Sequence, residues 1–350
     1  MTAFMTKTSA VEFLLPIWQR VLQRSSVQTK DNFFDLGGSP ASAVQLFSEI
    51  AEVCGRHLPA VLIYSAPTIE ALAEVLDQPG PLRVPPLLLL KAGTEYPPIF
   101  IAHGLGDTVF DLFPMVEKME TTHPIYGMQA RGIDGIEEPL GSVEEMAQFH
   151  LEAIKQLQTH GPYFLIGYSL GGLVALEIAQ RLSAVGEKVA LLALVDSYPH
   201  RNQLGFTQNV LLSFRLAKRR IFLPKASPLR GTRAEPSGRV DGNASFGSPS
   251  PESMRRIMQR MRDSAYLALK RYRPQYYAGR IEFVKPEIST DFPDNPASVW
   301  SRLAERFEVE TIPGDHWSML TTEFEKLGWV LSGYLREASA KHLKATNSQP

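Results

Sequence analysis

The stretch Tyr163-Phe164-Leu165-Ile166-Gly167-Tyr168-Ser169-Leu170-Gly171-Gly172 passes from an apolar strand pattern through a serine between small residues into a helix pattern. Strand, serine, helix is the arrangement of a nucleophile elbow. A serine hydroxyl at its free pKa is a poor nucleophile, so it must be presented on a tight turn beside a base and fixed donors. The flanking glycines permit that turn. Two glycines around a serine recur by chance, and it is the flanking strand and helix that give the motif weight. The helix is expected to begin at Gly172. Leu173, Leu176, Ile178, Ala179 and Leu182 share its apolar face, Glu177, Gln180 and Arg181 lie largely off it, and Gly186 serves as the stop.

Working outward, residues 87–90, 99–102, 125–129, 163–166, 189–195, 281–284 and 309–312 read as short apolar strands, and residues 143–158 as an intervening amphipathic helix. Buried strands alternating with helices predict a mostly parallel sheet covered on both faces. Residues 9–76 read differently, as mostly helical, with apolar faces over 11–22 and 43–53 and a last helix over 69–76. Between them, Asp-Gln-Pro-Gly-Pro-Leu-Arg-Val-Pro-Pro over 77–86 breaks all periodicity and reads as a linker. Residues 226–251, rich in Ser, Gly, Pro and Arg, are expected to stay mobile.

At 350 residues, 44% hydrophobic and a net charge of −1, the chain has the composition of an ordinary globular protein. It shows no global nucleic-acid or membrane surface. Cys54, the single cysteine, cannot form an internal disulfide and has no metal-ligand companions, so no metal site is expected. The first ten residues lack a secretory apolar core, which makes the cytoplasm the expected compartment.

A serine elbow in an α/β-hydrolase is followed along the chain by an acid and then a histidine. Asp196 closes the strand pattern 189–195, and His316 sits in Pro313-Gly314-Asp315-His316-Trp317, expected as a turn after strand 309–312. In this reading His316 takes the Ser169 proton and Asp196 fixes the imidazole tautomer. Asp315 competes for the acid role, but side chains of adjacent residues rarely face one another, which favours Asp196. The oxyanion hole calls for the Leu170 N–H and a second donor, Leu105 or Gly104, from His103-Gly104-Leu105-Gly106-Asp107. His103 itself is expected to be structural.

Together with Tyr126-Gly127-Met128-Gln129-Ala130-Arg131-Gly132, Gly161-Pro162-Tyr163, Tyr272-Arg273-Pro274-Gln275 and Gly314-Asp315-His316-Trp317-Ser318-Met319-Leu320, the chain resembles the type I thioesterases of nonribosomal peptide and polyketide assembly lines. The resemblance implies cleavage of an acyl or peptidyl thioester on a phosphopantetheine arm through an acyl-enzyme on Ser169, in releasing or editing. It equally allows an acyltransferase or cyclase with an amine or hydroxyl acceptor. It also implies a helical lid over about 200–271, whose basic cluster Arg215, Lys218, Arg219 and Arg220 would face an arm phosphate, an acidic carrier or simply solvent. A loaded carrier protein or synthetase is the implied partner, and the thioesterase chemistry itself needs no cofactor.

The amino-terminal part resembles a carrier domain, through Asp31-Asn32-Phe33-Phe34-Asp35-Leu36-Gly37-Gly38 and Leu62-Ile63-Tyr64-Ser65-Ala66-Pro67-Thr68-Ile69. The position at which that family attaches its arm falls on Pro40, with Ala43 and Leu46 keeping register. Ser39 is one residue early, which leaves it as a helix cap or a shifted attachment point and makes phosphopantetheine on this domain doubtful. A degenerate carrier would then serve for docking, and a non-catalytic docking protein is the reading from another class. The expected layout is a carrier-like all-α helical bundle over 1–78, a linker over 79–86, an α/β-hydrolase domain with a helical lid and mostly parallel sheet over 87–340, and a tail over 341–350.

Overall fold

Thr6 accepts a hydrogen bond from the Ser9 N–H and opens helix α1 (Lys7–Val21), the first element of the computed structural model. The structure describes residues 6–56, 58–78, 82–204, 251–289 and 292–347. Helices α2 (Pro40–Cys54) and α3 (Ile69–Asp77) complete an amino-terminal bundle. Each is amphipathic, and Leu14, Trp18, Leu46, Ile50, Ile63 and Leu72 meet in its interior. The loop before α2 sends its two phenylalanines in opposite directions. Phe33 is fully buried edge-on against Trp18, whereas Phe34 stacks on Tyr64 and reaches Phe113 of helix α4 (Val109–Lys118), 5.5 Å between ring centroids. Tyr64 also meets Phe110 of α4. The bundle core thereby runs on into the core of the following unit, and this aromatic seam joins them.

Beyond residue 86 the strands β1 (Leu87–Lys91), β2 (Ile99–Ala102), β3 (Ile125–Met128), β4 (Tyr163–Tyr168), β5 (Val189–Val195), β6 (Tyr277–Ile288) and β7 (Ala304–Asp315) form one sheet. Its order is β1-β3-β2-β4-β5-β6-β7, with β1 antiparallel to β3 and every other pair parallel. This is the α/β-hydrolase fold. Strand period 2 divides β4 cleanly: Phe164, Ile166 and Tyr168 enter one core layer, Tyr163 and Leu165 the other. Helices α5 (Val143–Leu157) and α6 (Leu170–Ala184) cover the second face, α4 and α8 (Phe324–Asn347) the first. Helix α7 (Pro251–Arg271), within the span expected as a lid, faces the loops that follow β2 and β4 across a pocket.

All seven expected strands are present, but several boundaries differ: β4 ends at Tyr168 rather than 166, β6 runs over Tyr277–Ile288 rather than 281–284, and β7 begins at Ala304 rather than 309. Helix α6 starts at Leu170, two residues before the expected Gly172, because the elbow turns within Ser169 alone. Strand β7 continues through Pro313 and Gly314 to Asp315, since pairing with β6 persists past a register shift to Ile288↔Asp315. His316 therefore stands at the strand end itself. The mobile segment expected over 226–251 and the basic cluster Arg215, Lys218, Arg219 and Arg220 lie outside the described residues, except Pro251, which opens α7.

Candidate active site

Ser169 sits between β4 and α6 with φ 54° and ψ −120°, a backbone conformation rare for a residue with a side chain. Such a conformation costs about 1–3 kcal/mol and persists only where its surroundings enforce it. Here the Ser169 N–H donates to the Val195 carbonyl at 2.9 Å, and its carbonyl accepts from Ser197 Oγ at 2.6 Å and from the Gly172 N–H at 3.1 Å. The small residues are required by close approach. A Cβ on Gly171 would lie 2.4 Å from the Ala102 carbonyl oxygen, and one on Gly167 would lie 2.2 Å from that of Gly171. Gly167 and Gly171 thus let α6 start directly over β2 and β4.

One strand along, Asp196 follows β5 with φ 42°, its N–H held by the Val284 carbonyl at 2.8 Å. Its Oδ2 lies 2.7 Å from His316 Nδ1, and both side chains are buried. The Tyr168 ring, directly before Ser169, stacks on the His316 ring at 4.8 Å between centroids, and its hydroxyl donates to the His316 carbonyl at 2.6 Å. The structure therefore brings His316 against Asp196 on one side and against the elbow strand on the other. Burial pushes the Tyr168 phenol well above its ordinary range, so it remains a neutral donor. Asp315 faces a different task. Its carboxylate accepts from the Ser318 and Trp317 N–H groups at 2.9 and 3.1 Å, and the Ser318 N–H first of all holds its pKa below the ordinary value.

Leu170 begins α6, so its N–H has no partner within the helix. Across the site, His103 is fixed by two bonds. Nε2 accepts from the Ala130 N–H at 3.3 Å, which leaves the proton on Nδ1 to donate to the Gly104 carbonyl at 2.9 Å. Burial lowers its pKa, in keeping with that neutral tautomer. Asp107, at the other end of the loop, is pushed up to about 6 by burial and then by Asp111, while His316, Arg262 and the Gly104 N–H oppose the rise.

Beside this cluster lies a pocket of about 640 Å³, counting its solvent-open part. Leu170, Gly171 and Val174 form one wall, Met258, Met261 and Ala265 of α7 another. Among the described residues no cluster of His, Cys, Asp or Glu could hold a metal ion, and no helix is long and apolar enough to cross a membrane. Sequence reasoning missed Tyr168 and Asp107. Tyr168 is an unconstrained position within the elbow motif, and Asp107 lies in the glycine loop where backbone donors draw the attention.

At the other end of the chain, Ser39 is the cap of α2. Its Oγ accepts from the Ser42 N–H at 3.3 Å, its own N–H donates to Ser42 Oγ at 2.7 Å, and Pro40 occupies the first helical turn. These are the reciprocal bonds of a capping box.

A family model described as the thioesterase domain matches residues 97–328, and one described as the phosphopantetheine attachment site matches residues 12–76. The dimodular nonribosomal peptide synthase of Bacillus subtilis (strain 168) is 37% identical over 195 residues, which is 55% of this chain and 8% of that protein. The chain thus spans less than a tenth of that relative. Among solved structures, holo-AB3403, a four-domain nonribosomal peptide synthetase bound to AMP and glycine, superposes with a TM-score of 0.56 at 20% identity, covering 95% of this chain and 26% of that one. The type II thioesterase BorB from the borrelidin biosynthetic cluster gives 0.51 at 20% identity, covering 71% and 97%. At that identity the structural likeness speaks for the fold.

Proposed function

The chain belongs to the thioesterase domain family, and from that premise we propose that it cleaves an acyl or peptidyl thioester from a phosphopantetheine arm, in releasing or editing, through Ser169, His316 and Asp196. The observation that carries the reading is the buried 2.7 Å bond between His316 Nδ1 and Asp196 Oδ2 beside the strained Ser169 turn. In the proposed reaction His316 Nε2 takes the Ser169 proton as Oγ attacks the thioester carbon. The C–S bond then breaks, and the proton passes from His316 to the departing thiolate. Water, deprotonated by the same imidazole, attacks the acyl-serine and frees the acid. Asp196 stabilises the imidazolium in both halves. The Leu170 N–H at the start of α6 supports one oxyanion donor. For the second, Leu105 is favoured over Gly104, whose N–H is drawn toward the Asp107 carboxylate.

The reading divides the chain into a carrier-like unit over 1–78, a joint over 79–86 and a hydrolase unit over 87–340. The carrier-like unit in this reading bears no arm, because Pro40 has no hydroxyl and the Ser39 hydroxyl is engaged in its cap. The substrate then arrives on another carrier, that of a loaded synthetase, in the cytoplasm. Thiol release from an octanoyl-pantetheine thioester tests the activity. Turnover by the wild type and its loss in Ser169→Ala are expected, while equal rates in the two proteins would overturn the assignment.

A further inference from the structure

The carbonyl of Ser169 and the N–H of Leu170 belong to one peptide group. A trans peptide is planar with its C=O and N–H on opposite sides, so whatever holds the carbonyl also aims the N–H. In a nucleophile elbow that N–H is an oxyanion donor. The Ser169 carbonyl is held from two sides, by the Gly172 N–H at 3.1 Å and by the Ser197 hydroxyl at 2.6 Å. The first bond is local to the start of α6. The second reaches across from the loop after β5, where Ser197 directly follows Asp196. Ser197 is fully buried, so water has no access to replace its hydroxyl. A Cβ on Gly172 would lie 2.4 Å from Ser197 Oγ, and glycine at that position leaves the hydroxyl its room. The Ser197 carbonyl in turn accepts from Nε1 of Trp300 at 3.1 Å, and that indole is fully buried.

We propose that Ser197 is a positioning residue: its buried hydroxyl, donating to the Ser169 carbonyl, holds the Ser169–Leu170 peptide in the plane that presents the Leu170 N–H to the oxyanion. The inference rests on the thioesterase reading for Ser169 as the nucleophile. Negative charge develops on the substrate oxygen only as the tetrahedral intermediate forms, so the benefit belongs to the transition state and not to substrate binding. The same bond polarises the peptide and makes its N–H a stronger donor. With alanine at 197 the carbonyl keeps only the Gly172 N–H, and the turn at φ 54° and ψ −120° loses a restraint against relaxing toward ordinary backbone. Asp196 and Ser197 are chain neighbours, so one short loop, tied down by Trp300, sets both the charge behind His316 and the plane of the oxyanion donor.

The test compares two ligands titrated calorimetrically into the full chain. Octylboronic acid adds to Ser169: a B–O bond forms to Oγ, the hydroxyl proton passes to His316, and the tetrahedral boronate carries negative charge as the reaction intermediate does. The non-cleavable thioether octyl-pantetheine carries no such charge. Ser197→Ala is expected to bind the boronate about tenfold more weakly than the wild type and to cleave octanoyl-pantetheine with a kcat lower by about the same factor, while its affinity for the thioether stays within about twofold. A merely structural role would lower all three together. Ser197→Cys keeps a side chain of similar size with a weak donor, so its boronate affinity is expected between the two, and it provides the comparison should the Ala variant fail to fold. The proposal is overturned if boronate affinity is unchanged in the folded variants, if thioether affinity falls in step with it, or if the wild type binds no boronate. Cleavage without this dependence on Ser197 sinks the proposal alone, and boronate binding with the dependence but without cleavage sinks the thioesterase reading alone.

Discussion

Replacing Asp196 by Asn removes one charge and leaves the shape of the site nearly unchanged. The bond it disturbs is 2.7 Å long, between side chains only 3% and 10% exposed, so solvent cannot substitute for the lost carboxylate. If the new amide turns its NH2 toward His316, Nδ1 must become the acceptor and Nε2 the protonated nitrogen, which then cannot take the Ser169 proton. If it turns its oxygen, the tautomer is kept but the imidazolium loses its counter-charge. The expected loss in kcat is about 10⁴-fold, or about 5 kcal/mol of transition-state stabilisation, with KM little changed. Asp315→Asn is the matched control. Its carboxylate is held chiefly by the Trp317 and Ser318 N–H groups, which an amide oxygen can also accept, and its charge acts on His316 less than that of the directly bonded Asp196, so a loss of less than about fivefold is expected. Both rates are read from thiol release at saturating acyl-pantetheine. A collapse in Asp315→Asn with near-normal turnover in Asp196→Asn would refute the reasoning.

Gly171→Ala should destabilise the fold by about 1–3 kcal/mol in urea titration, because the new methyl meets the Ala102 and His103 carbonyl oxygens, neither of which is free to yield. Asp107→Asn should stabilise the protein at alkaline pH. The native carboxyl has its pKa raised to about 6, so the fold holds its proton more tightly than the unfolded chain does, and the native charge costs stability only as pH rises through that window. The advantage of the amide is expected to be absent below about pH 4 and to grow to on the order of 1–2 kcal/mol above pH 6, given the partial exposure of the side chain. Melting curves across that range check it, and a gain confined to acid pH would contradict it. Incubation with coenzyme A and a broad-specificity phosphopantetheinyl transferase should leave the intact mass unchanged. An added arm lost in Ser39→Ala would show instead that the capping hydroxyl is accessible.

The order of strands and helices was legible because each core strand is a short apolar run and each covering helix has a periodic face. The triad candidates were legible because strand ends deliver them: Asp196 directly follows β5 and His316 directly follows β7. What could not be read depends on contacts between distant segments. The stacking of Tyr168 on His316 joins residues 148 positions apart, and no local pattern announces it. The seam of Phe34, Tyr64, Phe110 and Phe113 is similar, since an aromatic residue in a loop has the same local signature whether it meets its own core or a neighbouring unit. The start of α6 was misjudged by two residues because helix period begins to show only with the first large apolar side chain, Leu173, whereas the backbone is already helical at Leu170.

Whether Ser169 carries the acyl group is read from the intact mass of the protein after brief mixing with octanoyl-pantetheine, followed by peptide mapping. A transient adduct of one octanoyl group is expected on the peptide containing Ser169, absent in Ser169→Ala and removed on standing. Turnover with no adduct at any time of quenching, or an adduct on a different residue that persists in Ser169→Ala, would contradict it.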